Sequence, residues 1–230
     1  MVLTQSISGQ DAGFKVLQLG KPVGTASFKF VSTPDGIESS TTVHVSTAGL
    51  EYAFSKSEQL SANRELKHVR LSATVNGSAV NVVAEPDAAQ FVLNISANGR
   101  SSTTRLDGHS ASVFMPDFDP GALDTLLALG ASRNSHDLWA ILPKQSGSQA
   151  ATTVHIQLAT YPDEQGTLDG QPITAHHLVA TISGATTDLF SGPENQLLQA
   201  ELPQQGFALI RNGFVLKPPA KAGAAPAPEQ

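Results

Sequence analysis

His68-Val69-Arg70-Leu71-Ser72-Ala73-Thr74-Val75, followed at once by Asn76-Gly77, decides the fold. Side chains on an extended chain alternate faces with period two. Val69, Leu71, Ala73 and Val75 therefore share one side, and His68, Arg70, Ser72 and Thr74 share the other. This is a half-buried strand. Asn-Gly favours the positive-φ conformations of a tight hairpin, so the chain turns back antiparallel after it.

The same reading extends in both directions. Phe91-Val92-Leu93-Asn94-Ile95 and Thr153-Val154-His155-Ile156-Gln157-Leu158 alternate in the same way. Pro34-Asp35-Gly36, Asn98-Gly99, Asp107-Gly108 and Asp169-Gly170 separate further pairs of strands, and Gly192-Pro193-Glu194-Asn195 reads as a four-residue turn. Turns spaced about 8–12 residues apart mark sandwiches and barrels. The expectation is an all-β fold with a dozen or more strands, a long antiparallel meander forming a curved sheet or barrel.

One segment breaks the pattern. Asp119 suits a helix N-cap, Pro120 the first helical position, and Gly130 a C-terminal stop. Leu123, Leu126 and Leu127 lie between them at helical spacing. A short helix over Asp119–Gly130 follows, covering an open end or face of the sheet. Strand character resumes at Leu138-Trp139-Ala140-Ile141-Leu142 and stops at Pro143. Arg100 to Asp107 is poor in apolar residues and suits a poorly buried edge strand. Residues 13–216 form one antiparallel β-domain in this reading. Residues 1–12 are a loose polar start, and residues 217–230 a Pro/Ala-rich tail or linker without periodicity.

Composition narrows the function. The 230 residues are 40% hydrophobic, enough for a substantial core, and only 15% charged. The net charge is −6. Arg64, Lys67 and Arg70 are the densest basic group, and Glu65 interrupts them, so no basic patch exists to displace phosphate counterions. Nucleic acid is set aside as a partner. No apolar run reaches the length of a membrane-spanning helix. Cysteine is absent, which excludes disulfides, thiolate metal sites and thiol nucleophiles. Met1 to Ser6 lacks the basic and apolar regions of a signal peptide.

Three stretches carry a family resemblance. Phe14-Lys15-Val16-Leu17-Gln18-Leu19-Gly20-Lys21-Pro22-Val23-Gly24 resembles the opening of exported bacterial β-rich proteins of unknown function, in which a G-x-x-x-G turn joins the first two strands. Leu197-Leu198-Gln199-Ala200-Glu201-Leu202-Pro203, then Leu209-Ile210-Arg211, is similar to their close. Ala122 to Leu129 and Ile141-Leu142-Pro143 are similar to their central helix and following strand. The resemblance spans most of residues 13–216. It implies a curved antiparallel sheet or barrel and an exported setting, periplasmic or extracellular, with the leader outside this sequence. In some members the domain is an accessory module preceding an α/β-hydrolase domain. The resemblance brings no catalytic residues and no cofactor.

The residues themselves offer few sites. Gly108-His109-Ser110-Ala111-Ser112 approaches the G-x-S-x-G nucleophile elbow, but its last position is serine and a strand, not a helix, follows. Ser135-His136-Asp137 holds triad residue types consecutively, where they cannot converge. Asp117, Asp119 and Asp124 offer hard oxygen ligands, yet the spacing lacks the rest of a calcium loop. His176 and His177 face opposite sides of a strand and do not chelate one ion together, although one of them facing His155 would make a two-His site. Asp117, Asp119 and His176 are the candidate metal ligands, against a reading with no metal and no cofactor. Phe114, Phe118 and Trp139, with Phe190 and Phe207, are core residues or the lining of a cavity for an apolar guest. Phe114, Phe118 and Trp139 are the candidate ligand contacts.

The expected function is a non-enzymatic exported β-domain holding an amphipathic or lipid-like molecule. A rival is an accessory module tethered to a separate catalytic domain. A remote third is a hydrolase using Asp117, Asp119, His176 or His177, which requires those groups to converge in one cleft.

Overall fold

The computed structural model describes residues 9–132, 137–143 and 151–217. Eight strands run as an antiparallel meander: β1 (Gly9–Gln18), β2 (Lys21–Thr33), β3 (Gly36–Ser46), β4 (Glu51–Leu60), β5 (Leu66–Val75), β6 (Ser78–Asp87), β7 (Gln90–Ala97) and β8 (Arg100–Asp107). The short β9 (Ser112–Phe114) leads into helix α1 (Pro120–Ser132). Then follow β10 (Leu138–Pro143), β11 (Ala151–Thr160), β12 (Glu164–Leu168), β13 (Gln171–Ile182), β14 (Ala185–Ser191), β15 (Leu197–Leu202), β16 (Phe207–Arg211) and β17 (Phe214–Leu216). The first strand opens at Gly9, ahead of the expected boundary at residue 13.

The hairpins form for the reason read from the sequence. Asn76 and Gly77 (φ 47° and 81°), Asn98 and Gly99 (51° and 72°), and Asp169 and Gly170 (50° and 78°) all take paired positive φ. That geometry matches strand twist and favours Asn-Gly or Asp-Gly. Asp107-Gly108 behaves differently. It leads out of β8 rather than into a partner strand, and the Gly108 N–H donates to the Ala89 carbonyl at 2.9 Å. The Gly192–Asn195 turn is closed by the Asn195 N–H on the Gly192 carbonyl at 3.0 Å.

The chain's two ends meet inside the sheet. β1 pairs with β2 on one side and with β16 on the other. Two limbs therefore spread from β1. One runs through β2 to β8. The other runs through β16, β15, β14, β13, β11 and β10 to β9, with β12 paired along the first half of β13 and β17 paired to β12. Every pairing is antiparallel except β9 with β10, which is parallel. No ladder joins β8 to β9 among the described residues, so of the two expected forms, curved sheet or barrel, the chain takes the curved sheet and does not close. The limbs fold towards each other: β8 lies near β11, and β9 near β5. Among the described residues β8 pairs with β7 alone and is mostly exposed, which is the edge strand expected there.

α1 packs between the limbs, against β2, β3, β9, β10 and β15. Asp119 caps it, with its Oδ1 accepting the Ala122 N–H at 3.0 Å. The helix runs to Ser132, two residues beyond the expected stop at Gly130. A Cβ at Gly130 would lie 2.7 Å from Leu158 Cδ1. The glycine is there for close approach to β11, not for termination. One continuous core gathers Phe14, Phe28, Leu93, Phe114, Leu126, Leu138 and Ile156 from both limbs and the helix. A second, smaller cluster of Ala175, Phe190, Leu198 and Phe214 sits apart from it.

Candidate functional site

The concave face of β3–β7 has two chemically distinct halves. β4 alternates strictly, and Tyr52, Phe54, Lys56, Glu58 and Leu60 are all buried. Their neighbours on β3 are Val45, Val43, Thr41, Ser39 and Ile37 in register. One half is apolar. The other carries a lysine, a glutamate and two hydroxyls beneath the N-terminus of α1.

The apolar half holds a cavity of about 270 Å³. Its walls are Leu71, Ala73 and Val75 of β5, Val80 and Val82 of β6, and Ile95 of β7. Tyr52 stands at one side, Met115-Pro116-Asp117 crosses the top, and Leu142-Pro143 closes the far edge. The walls are short aliphatic side chains, and these leave room where longer ones would fill the space. Asp117 carries the only carboxyl group among the described residues of this lining. It is reached by solvent, yet protein surrounds it on the cavity wall, which pushes its carboxyl above the usual range. Burial, with Asp117 and Asp119 nearby, also pushes the Tyr52 phenol up, so it stays neutral.

The polar half is a buried ionic triad. Lys56 Nζ lies 2.8 Å from Glu58 Oε1 and 2.5 Å from Asp119 Oδ2, and none of the three side chains is more than 3% exposed. Burial opposes a charged lysine, but Asp119 and Glu58 more than offset it, and the Lys56 ammonium is held above its ordinary range. Burial raises Glu58, Lys56 draws it back, and Asp119 pushes it up again, leaving it above the ordinary carboxylate range. Phe28 and Phe30 on β2 lie opposite Thr41 and Ser39, while Leu71 and Val69 on β5 lie opposite Lys56 and Glu58. Apolar neighbours therefore screen the triad from water. The Thr41 hydroxyl, in the same layer, has no hydrogen-bond partner.

A third group holds the helix to the rest. Buried Asp124 on α1 accepts from the Leu197 N–H at 2.9 Å and from Gln10 Nε2 at 3.2 Å, with Arg64 Nη1 3.5 Å away. Burial raises its carboxyl despite these donors. It is an anchor joining β1, α1 and β15, not a free ligand.

The sequence candidates are dispersed. Phe114 is fully buried in the main core, and Phe118 packs on Tyr52 and Phe207 at 6.0 and 4.8 Å between ring centres. Trp139 is half-buried and lies between His109 (3.8 Å, parallel) and His155 (5.2 Å, edge-on). None of these three is among the described residues that line the cavity, whose walls are short aliphatic side chains. Among the metal candidates, Asp117 is on the cavity wall and Asp119 in the triad. His176 Nδ1 lies 3.0 Å from Asp163 Oδ1, on the exposed surface. His177 instead meets Asp188 at 2.9 Å and stacks on Phe190. The hydrolase reading needed these groups in one cleft, and the structure distributes them over separate environments. Among the described residues, no three His, Asp or Glu side chains are placed to hold a metal ion. Ser112 of the elbow-like stretch donates its hydroxyl to the His109 carbonyl at 2.9 Å and leads into β9. Ser135 and His136 lie outside the described residues, as does the tail beyond residue 217.

The triad was missed, although a signal for it exists. Tyr52, Phe54 and Leu60 set the inward phase of β4, and period two then forces Lys56 and Glu58 inward as well. No helix among the described residues is long and apolar enough to cross a membrane. Compared with protein families, with characterised proteins and with solved structures, the chain finds no match in any of the three.

Proposed function

We propose that this chain is a non-catalytic binding domain that takes the apolar part of a small amphipathic molecule between its two limbs. The observation that carries the reading is the cavity of about 270 Å³ walled by aliphatic side chains of β5, β6 and β7. Ligand pockets commonly measure roughly 300–1,000 Å³ and combine apolar walls with a few polar groups. This one lies at the small end, which suits a single hydrocarbon tail or compact apolar body rather than a whole lipid. Asp117 and the Tyr52 phenol stand where the ligand's polar end would sit. The exported setting belongs to the same proposal and rests on the resemblance of the chain's opening, centre and close.

Organic extraction of natively purified protein, followed by mass spectrometry, tests the reading together with titration of a polarity-sensitive fluorescent probe. The expected result is saturable probe uptake that Ala73→Leu abolishes while the fold is retained. Uptake unchanged in a folded Ala73→Leu variant would overturn it.

A second reading has its own observation. The outer face of β2–β6 forms an open hollow of about 720 Å³ edged by Lys29, Lys67 and Arg70 and by Glu38 and Glu85. Interleaved charges of both signs suit the polar rim of a protein contact. This supports an accessory module that docks a partner domain. Reversing Lys29 and Arg70 to glutamate would then abolish co-sedimentation with that partner and leave probe uptake intact.

A further inference from the structure

Lys56, Glu58 and Asp119 are joined by geometry that goes beyond an ion pair. A charge-assisted N–H···O bond spans about 2.7–2.9 Å. Lys56 Nζ and Asp119 Oδ2 are closer, at 2.5 Å, and neither atom has a partner in hydrogen-bond alignment. The two oxygens of Asp119 are also differentiated. Oδ1 is held by the Ala122 N–H at the start of α1, and Oδ2 is turned to the lysine. Glu58 Oε1 stands 2.8 Å from the same Nζ. We propose that Lys56 and Asp119 condense to an intramolecular isopeptide bond, with Glu58 as the catalytic proton carrier.

The step balances within the triad. Nζ passes one proton directly across the contact to Asp119 Oδ2, and the amine so formed attacks Cγ of Asp119. The new bond is Nζ–Cγ, and the bond that breaks is Cγ–Oδ2. Glu58 accepts a proton from the attacking nitrogen and delivers one to Oδ2, which departs as water. An ammonium and a carboxylate become a neutral amide plus one water, and Glu58 ends as it began. No oxidant, reductant or second substrate is required.

The surroundings favour both rate and equilibrium. Nucleophile and carbonyl are held in contact, which replaces a bimolecular encounter by a positioned one. The Ala122 N–H at the helix N-terminus points at Oδ1, where negative charge develops during the attack. Two buried charges disappear, and with them the cost of keeping both ions out of water. After the reaction Oδ1 keeps its donor as an amide oxygen, and the new N–H is within reach of Glu58. The bond would tie β4 to the start of α1 in a chain that has no cysteine for a disulfide.

Intact mass spectrometry of the full chain under denaturing conditions decides the matter. The expected mass is that of the sequence less one water. After trypsin, the peptides bearing Lys56 and Asp119 should appear as one branched species, uncut at Lys56. Asp119→Ala and Glu58→Gln should each restore the full sequence mass. A full sequence mass in folded wild-type protein, unchanged on long incubation, would overturn the proposal. So would a water loss that maps to a succinimide at Asp35-Gly36, Asp107-Gly108 or Asp169-Gly170. A bond that survives in Glu58→Gln would remove Glu58 from its assigned role.

Discussion

The two halves of one concave face are built from the same strands by the same alternation, and they have opposite contents. Beneath the N-terminus of α1 the face carries Lys56, Glu58, Ser39 and Thr41, and the space is full. Beyond the helix it carries Tyr52, Leu71, Ala73, Val80 and Val82, and a void remains. The helix makes the difference. Where it covers the sheet, Asp119 supplies a counter-charge and a buried lysine is stable. Where the segment Met115–Asp117 borders the face instead, the small side chains are not packed against and space remains. Curvature alone therefore does not make a cavity; the cavity marks the limit of the helix's reach.

The largest effect is expected in the polar half. Lys56→Met leaves Glu58 and Asp119 buried without their cation, and breaking such a pair costs about 3–5 kcal/mol. If the isopeptide bond has formed, a further loss follows, since a cross-link closing a loop of about sixty residues is worth roughly 4 kcal/mol. Urea unfolding measures the total. Adding Glu58→Met and Asp119→Asn to Lys56→Met should recover most of the ionic part. A single substitution costing under about 1 kcal/mol, the usual value of an exposed pair, would show that water reaches the triad.

Acidity offers a second way to separate the halves. Burial raises both Glu58 and Asp124 above their ordinary values of 4.5 and 3.8. A group raised on folding contributes stability that is complete below its unfolded value and is lost as pH rises through its folded value. The protein should therefore melt higher at mildly acidic pH than at neutral pH. Glu58→Gln and Asp124→Asn should each flatten that slope, as should Asp117→Asn at the cavity wall, while an aliphatic change such as Ala73→Leu should leave it unchanged. A melting temperature that falls steadily below neutral pH would contradict the buried placement of these carboxyls.

These contrasts show which parts of the molecule local sequence encodes. Strand phase is local, so Val69, Leu71 and Ala73 announce their face, and Asn76-Gly77 announces its hairpin. The cap at Asp119 is equally local. The pairing of β1 with β16 and the parallel pairing of β9 with β10 depend on contacts between distant segments, and nothing in either strand specifies its partner. The cavity is less legible still, because it is defined by absent atoms between segments far apart in the chain. Aromatic residues drew attention as ligand contacts, but Phe114 and Phe118 are large enough to be consumed by the core. The triad lies between these cases. Its inward phase is readable from Tyr52, Phe54 and Leu60, but the meeting of β4 with Asp119 is tertiary.

A smaller effect separates the triad from its neighbours. Thr41 Oγ1 is buried without a partner in the polar layer. Thr41→Val removes an unsatisfied hydroxyl at nearly constant shape, and the expected change is a gain of about 0.5–1 kcal/mol. Denaturant titration should show a higher midpoint with an unchanged slope. A loss of stability would mean that an ordered water satisfies this hydroxyl, and the polar half would then be wet.

The smallest stability effect is expected in the apolar half, from Ala73→Leu. Adding methylenes to a filled core costs about 1–3 kcal/mol through strain. Here the added atoms project into the void beside Leu71 and Val82. New apolar contact should offset the lost side-chain freedom, and the net change should stay within about 0.5 kcal/mol. Probe uptake should nevertheless disappear, so stability and binding part company at one residue. A cost above about 2 kcal/mol would show that the space beside Ala73 is filled, and uptake intact in the folded variant would overturn the binding reading. Val82→Leu, which borders the same space, should likewise be tolerated and block uptake, because only a side chain that borders the void can grow without strain.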